Sequence, residues 1–484
     1  MNRTTRGRRT PADEVLDHLR TADRFPTGDP RREAAQRRAA RAVAATPAVA
    51  DHPALAGMRA TLRRWSSFAP YLLDDSAETE LAIRNREVIA RELALLHALD
   101  DVADTALAAA DEALRGIDDP SPAVRERADR ATHEATARRA PVTASVLAAL
   151  AACHLADDRR RGIVDWRTRF AFVQGTTAAT LRRLLDGVAA ADGLAAEWWR
   201  CRSALVGAAY SDRRVGLSAP PAALAEHAAA AAAAVGSVLP SMASSAQAAA
   251  RRIRPGAENV VVIEADGRIS STVAHRPTPR GSLMVAHEFG HTLHALEAMS
   301  PEPPGALVGE TVACWSALVT GRAADVTDLA VGLALGDTLA EELFVSAAVT
   351  VFEDQVYELV RAGVPVTVEA LDDAWLAAQR AAYSGVVDIP ADIGSGWARL
   401  PSLATQPGHA ISYVWATVLA LAIVSRHPHD RDGVVAAAIA AGGVDADEFT
   451  ALLGFDGDEW IDEGLASLSV ELRRLAQLLT APAA

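Results

Sequence analysis

Residues 284–298 read MVAHEFGHTLHALEA, and within them His287, Glu288 and His291 spell HExxH. On an α-helix, positions four apart share one face at roughly 6 Å, so the two imidazoles can close on a single metal ion only if this segment is helical. Glu288, one position along, projects beside the ion rather than onto it, where a carboxylate can take a proton from an attacking water. The spacing therefore predicts a helix over 283–298 with one polar, metal-facing side.

A hydrolytic zinc site uses three protein ligands and keeps a fourth position open. After His291 the helix runs into SPEPPG, which stops it, and a second helix over 306–321, ALVGETVACWSALVTG, carries Glu310. The 18 residues between His291 and Glu310 suffice for a helix end, a turn and a return to the metal. Glu310 is the only acid in that stretch, and Val312, Cys314, Trp315, Ala317 and Leu318 around it are apolar. A buried carboxylate there would be costly without a cation. His287, His291 and Glu310 are the expected ligands of one zinc per chain. His294 could orient a ligand through a hydrogen bond or simply pack, and His427 and His429, in SRHPHD, read as a helix-ending turn.

Elsewhere the period is helical, as in ELALLHALDDVADTALAAADEAL and the alanine-rich AEHAAAAAAAVGSVL. GIDDPSP breaks one helix and SDRRVGLSAPP another, and the second break divides an N-terminal helical lobe, 1–215, from a zinc-binding lobe, 216–484. The exception is NVVVIEADGRISSTVAHR, two β-rich runs about a turn at Asp266 and Gly267. This hairpin is either a docking edge for an extended peptide or a purely structural element.

Half the residues are hydrophobic and 23% charged, enough for a large core, and the net charge of −14 argues against nucleic acid or anionic lipid as a partner. Cys153, Cys201 and Cys314 lie far apart, with neither a disulfide framework nor a thiolate zinc spacing, which suits a reducing compartment. The start, MNRTTRGRRTPADEV, leads into no apolar run, and no later stretch offers about twenty uninterrupted apolar residues. A cytoplasmic protein without membrane attachment is expected.

HEFGHTLH followed by Glu310 resembles the gluzincin metallopeptidases. The stretch VFEDQVYELVRAGVPVTVEALDDAWLAAQRAAYSGVVDIPADIGSGWARLP, then HAISYVWATVLALAIV, resembles the catalytic lobe of the oligoendopeptidase F-like branch of the M3, thimet oligopeptidase-like, zinc metallopeptidases. The resemblance covers 281–425. It implies a mainly α, two-lobed helical ellipsoid with a deep central cleft that admits short unstructured peptides, and a small hairpin or sheet beside the metal helix. By the same resemblance Glu288 is the base, and Tyr413 donates a hydrogen bond to the oxyanion. Two departures stand out. Ser402 occupies the place where the family carries a histidine donor, with His409 nearby as its possible substitute, and the substrate loop is reduced to the hairpin at Asp266 and Gly267.

Three functions fit these residues. The first is a zinc peptidase acting on short peptides. The second is a specialised zinc hydrolase or biosynthetic enzyme on that scaffold, acting on a dedicated peptide or non-peptide amide. The third, a zinc-stabilised peptide-binding protein, is disfavoured by Glu288, since a structural zinc site has no use for a base beside an open position.

Overall fold

A computed structural model describes residues 10–481 apart from 23, 25–29, 53–54, 56–61, 63–67, 79, 82, 93, 96–115, 264–267, 299–304, 326–327, 401, 431–432 and 443. The fold is mainly α. Helices α1 (Pro11–Ala22) and α2 (Pro30–Ala45) pair around a small core of their own that includes Val15, Leu19, Val43 and Leu62. The long helix α3 (Pro122–Arg161) starts on a proline, which gives up only an N–H that a first turn leaves unpaired anyway. It ends at Gly162, whose φ of 72° is the left-handed cap conformation, with Arg159, Arg160 and Arg161 at the negative end of the helix dipole. The amphipathic run at 92–114 lies largely outside the described residues.

Next come α4 (Arg167–Gln174), α5 (Ala178–Ala190), α6 (Asp192–Val206), α7 (Leu224–Val238) and α8 (Ala243–Ala250). The alanine-rich stretch forms α7, packed through Ala228, Ala231, Ala232 and Val235, the spacing of one helical face. The break at SDRRVG is knitted to its neighbours. Arg213 grips Asp129 of α3 at 2.7 and 2.9 Å, Arg125 pairs with Asp212, and Arg202 donates to the carbonyls of Asp212 and Val215 at 2.6 and 3.1 Å. Breaking one partner of such a buried pair strands the other charge.

The two β-rich runs form an antiparallel pair, β2 (Val260–Ile263) and β3 (Ile269–Val273), with Val261 opposite Ser271. Their turn, Asp266 and Gly267 included, lies outside the described residues. A third strand, β1 (Ile253–Pro255), adds in parallel to the far side of β3, so β2 is an edge. Ser271 and Val273 point inward, and β3 packs on the helix that follows.

That helix is α9 (Pro279–Ala298), which carries HExxH. It begins four residues before the expected start because the Thr278 hydroxyl accepts the Gly281 N–H at 3.1 Å, capping a turn opened by Pro279. Helices α10 (Ala306–Asp325) and α11 (Leu329–Ala340) follow, then a wide π turn at Glu341–Val345 that runs into α12 (Ser346–Arg361). Helices α13 (Val368–Ala382), α14 (Ser402–Thr405), α15 (His409–Arg426), α16 (Val434–Ala440), α17 (Ala446–Leu452) and α18 (Glu459–Thr480) complete the chain. Helix α10 packs against both α9 and α15, and α15 against α18, where Trp415 and Trp460 meet with centroids 4.3 Å apart.

One continuous core holds side chains from Ala140 to Leu479, on both sides of residue 215. Among the described residues, α3 and α15 are long and apolar enough to cross a membrane by composition, and 56% and 72% of their apolar windows are buried inside the protein.

Candidate active site

Helix α9 places His287 and His291 one turn apart, with ring centroids 4.9 Å apart and planes at 82°. From α10, the Oε2 of Glu310 lies 3.3 Å from Nε2 of His287 and 3.7 Å from Nε2 of His291. One nitrogen or oxygen from each of the three residues falls within 4.8 Å of the others. Gly290 permits the approach, because a Cβ there would lie 2.6 Å from the Ala313 Cα and 2.8 Å from the Val312 carbonyl oxygen. Gly290→Ala should therefore wedge α9 from α10, lowering stability by about 1–3 kcal/mol and weakening zinc binding. Thermal unfolding with a zinc titration checks this; a variant matching the parent in both would show that the helices have room to move.

The donor set fits a cation. Burial works against charge on His287, yet Glu310, with Glu342 and Glu288 behind it, raises its pKa to about 9. Burial alone would raise Glu310, but the two imidazoles hold its carboxyl well below the usual carboxylate range. Its Oε2 is buried and makes a well-formed hydrogen bond with neither ring. Two imidazoles and an unsatisfied carboxylate oxygen converging on one point are a borderline-soft set suited to zinc.

These groups open onto a cleft of about 990 Å3, lined also by Glu288, Tyr413, Glu341, Glu342 and the edge strand β2. Glu288 is buried, and that burial raises its pKa against the pull of His287 and His291. Tyr413 is half-buried on α15, its hydroxyl kept protonated by burial and by the carboxylates of Glu310, Glu342 and Glu288. His409 lies one turn earlier and meets the Tyr413 ring edge-on at 5.2 Å, but lines a neighbouring cavity of about 440 Å3 with Trp166, Phe170 and Tyr357. Gln406 lines both spaces, whereas Ser402 lines neither. His294 is a neutral, buried imidazole, its pKa pushed down to about 4 by burial and by His291, and its Nδ1 has no hydrogen-bond partner among the described residues. His427 caps the end of α15 and its Nε2 reaches the Leu453 carbonyl at 2.9 Å.

Several groups were not anticipated. The π turn brings Glu342 to the back of the site, where its Oε2 accepts from Thr417 Oγ1 at 3.2 Å and from Cys314 Sγ at 3.5 Å. His287, Cys314 and Glu342 form a second cluster with ligand atoms within 4.8 Å of one another. Here Cys314 and Glu342 already satisfy each other, whereas the Glu310 Oε2 makes no well-formed hydrogen bond among the described residues, so the first set is the better cation site. On the other side Arg280 of α9 pairs with Glu341, holding that carboxylate ionised despite its burial. A Glu-Glu pair at a helix junction was the available signal, but only the wide turn aims the two acids at one cleft.

No protein-family model and no curated protein matches the sequence. Solved structures do match the fold. Oligoendopeptidase-F from Enterococcus faecium aligns at 14% identity and a TM-score of 0.65, over 96% of this chain and 89% of that one. A protein assigned as an oligoendopeptidase F aligns at 16% and 0.72, over 96% and 90%. PZ peptidase A, solved with an inhibitor, aligns at 13% and 0.64, over 96% and 97%. The chain has the oligoendopeptidase F-like fold along nearly its whole length, as the resemblance in its C-terminal half implied.

Proposed function

We propose that this protein is a cytoplasmic zinc peptidase that hydrolyses short peptides within its cleft. The observation that carries the proposal is the convergence of His287, His291 and Glu310 with Glu288 on one wall of a space bounded by a strand edge. The solved structures of similar fold include oligoendopeptidases, which supports the same reading.

Zinc held by the three ligands would polarise the scissile carbonyl and acidify the attacking water. Glu288 takes the proton of that water at its carboxylate and passes it to the leaving amine; a pKa raised by burial suits both halves of that task. Among the described residues strand β2 pairs only with β3, so beside the exposed Val260 and Val262 an extended substrate can add to its other edge, next to the metal helix. Tyr413, protonated, donates to the oxyanion, and His409 acts through its edge contact with that ring. Tyr413→Phe is expected to lower kcat by about 10²–10³-fold with little change in KM. Equal loss in kcat and rise in KM would instead mark Tyr413 as a substrate-binding group.

A dedicated peptide or a non-peptide amide is the second reading, favoured by Ser402 lying outside the cleft where the family's histidine donor is expected. Incubating the zinc-loaded protein with a diverse peptide mixture and sequencing the products separates the two. New termini from many short peptides, and none from folded proteins, are expected. A zinc-loaded protein that leaves every peptide intact would move the assignment to the dedicated substrate.

A further inference from the structure

A second recess of about 500 Å3 adjoins the metal cleft and shares Arg280 and Met284 with it. Five charged residues line it: Asp118, Arg214, Arg276, Arg280 and Asp337. Four are matched. Arg276 bonds Asp118 at 2.7 Å, Arg280 bonds Glu341 at 3.1 Å, and Asp337 takes the Arg202 Nε at 3.0 Å. Arg214 has no hydrogen bond or ion pair among the described residues.

Arg214 is open to solvent, yet protein surrounds its guanidinium on most sides, a combination found where a side chain lines a recess. Burial, Arg280 and Arg213 push its pKa down to about 10 against the pull of Glu341, a carboxylate that Arg280 already engages, so Arg214 remains charged at neutral pH. The recess wall includes Pro279 and Gly281 at the start of α9, the positive end of a 20-residue helix. Arg214, with no bonded partner among the described residues, beside a helix N-terminus favours a negative guest, since the two aspartates that line the same recess, Asp118 and Asp337, are already bonded to Arg276 and Arg202.

We propose that this recess is a subsite for a substrate carboxylate held by Arg214. Resting on the peptidase reading, the inference narrows the substrates to short peptides that carry a terminal or side-chain carboxylate beyond the scissile bond. A guanidinium suits this guest because its planar fork meets a carboxylate with two parallel hydrogen bonds.

The test compares cleaved peptides in pairs, with a free against an amidated C-terminus and with glutamate against glutamine at successive positions. Removing the recognised carboxylate should raise KM about tenfold, as loss of a charge-assisted hydrogen bond does, with kcat little changed. The pair that responds tells a terminal from a side-chain carboxylate. Arg214→Gln should raise KM for the charged peptide to the same degree and add nothing once the carboxylate is gone. Arg214→Lys should recover part of the loss, a rescue that misfolding would not give. If every neutralised peptide keeps its KM within about twofold, or Arg214→Gln penalises charged and neutral peptides equally, the subsite is wrong. Calorimetric binding of the same pairs to the zinc-loaded Glu288→Gln protein reads the discrimination without turnover. Absence of cleavage would then count against the peptidase reading alone, and absence of discrimination against the subsite alone.

Discussion

Glu288→Gln is expected to retain one zinc per chain and the parent fold while kcat falls by about 10²–10⁴-fold, the usual contribution of a positioned general base. The amide has the size and shape of the carboxylate, so the buried place beside His287 is filled as before. It cannot take a proton, and apart from the proposed ligand Glu310 the other acids among the described residues that line the cleft are occupied: Glu341 is engaged by Arg280, and Glu342 by Thr417 and Cys314. Steady-state turnover measured alongside metal content decides the matter, and turnover within about tenfold of the parent would remove Glu288 from the role.

Glu310→Ala should have the largest effect on the metal. Zinc at a hydrolytic site is held by three protein ligands, and this change leaves two imidazoles on one helix face. The loss of affinity should exceed the about 10–100-fold that follows when only a supporting residue is removed. Metal analysis after exhaustive dialysis reads it. Full occupancy in the variant would assign the third ligand elsewhere, and Cys314 or Glu342, which already cluster with His287, would be the replacements.

The convergence of His287, His291 and Glu310 was legible in the sequence because its constraints are local or nearly so. The period of a helix puts His287 and His291 on one face, and a lone acid in an apolar helix points to Glu310. What escaped was set by tertiary geometry. The strand β1 is three residues ending in proline, too short for any pattern to register. The segment holding Arg214 reads as a loop, yet contacts from α3 and α6 make it part of the wall of a recess. Tyr413 and His409 share one face of α15 a turn apart, in a stretch resembling a donor-bearing segment, but only Tyr413 lines the cleft, while His409, one turn nearer the helix start, lines the neighbouring cavity. Cys314 reads as apolar packing, and is buried as such, while its thiol also meets Glu342 from across the site. The start of α9 was readable from Thr278 and Pro279, a capping residue followed by a first-turn proline, although the periodic apolar residues begin later.

The most direct test of a zinc peptidase at His287, His291 and Glu310 is a zinc titration of the metal-free protein in which bound metal and peptide cleavage are followed together. Cleavage should rise in proportion to bound zinc and level off at one ion per chain, and His291→Ala should show neither tight binding nor cleavage. Cleavage by the metal-free protein, or a His291→Ala variant that binds zinc and cleaves like the parent, would contradict it.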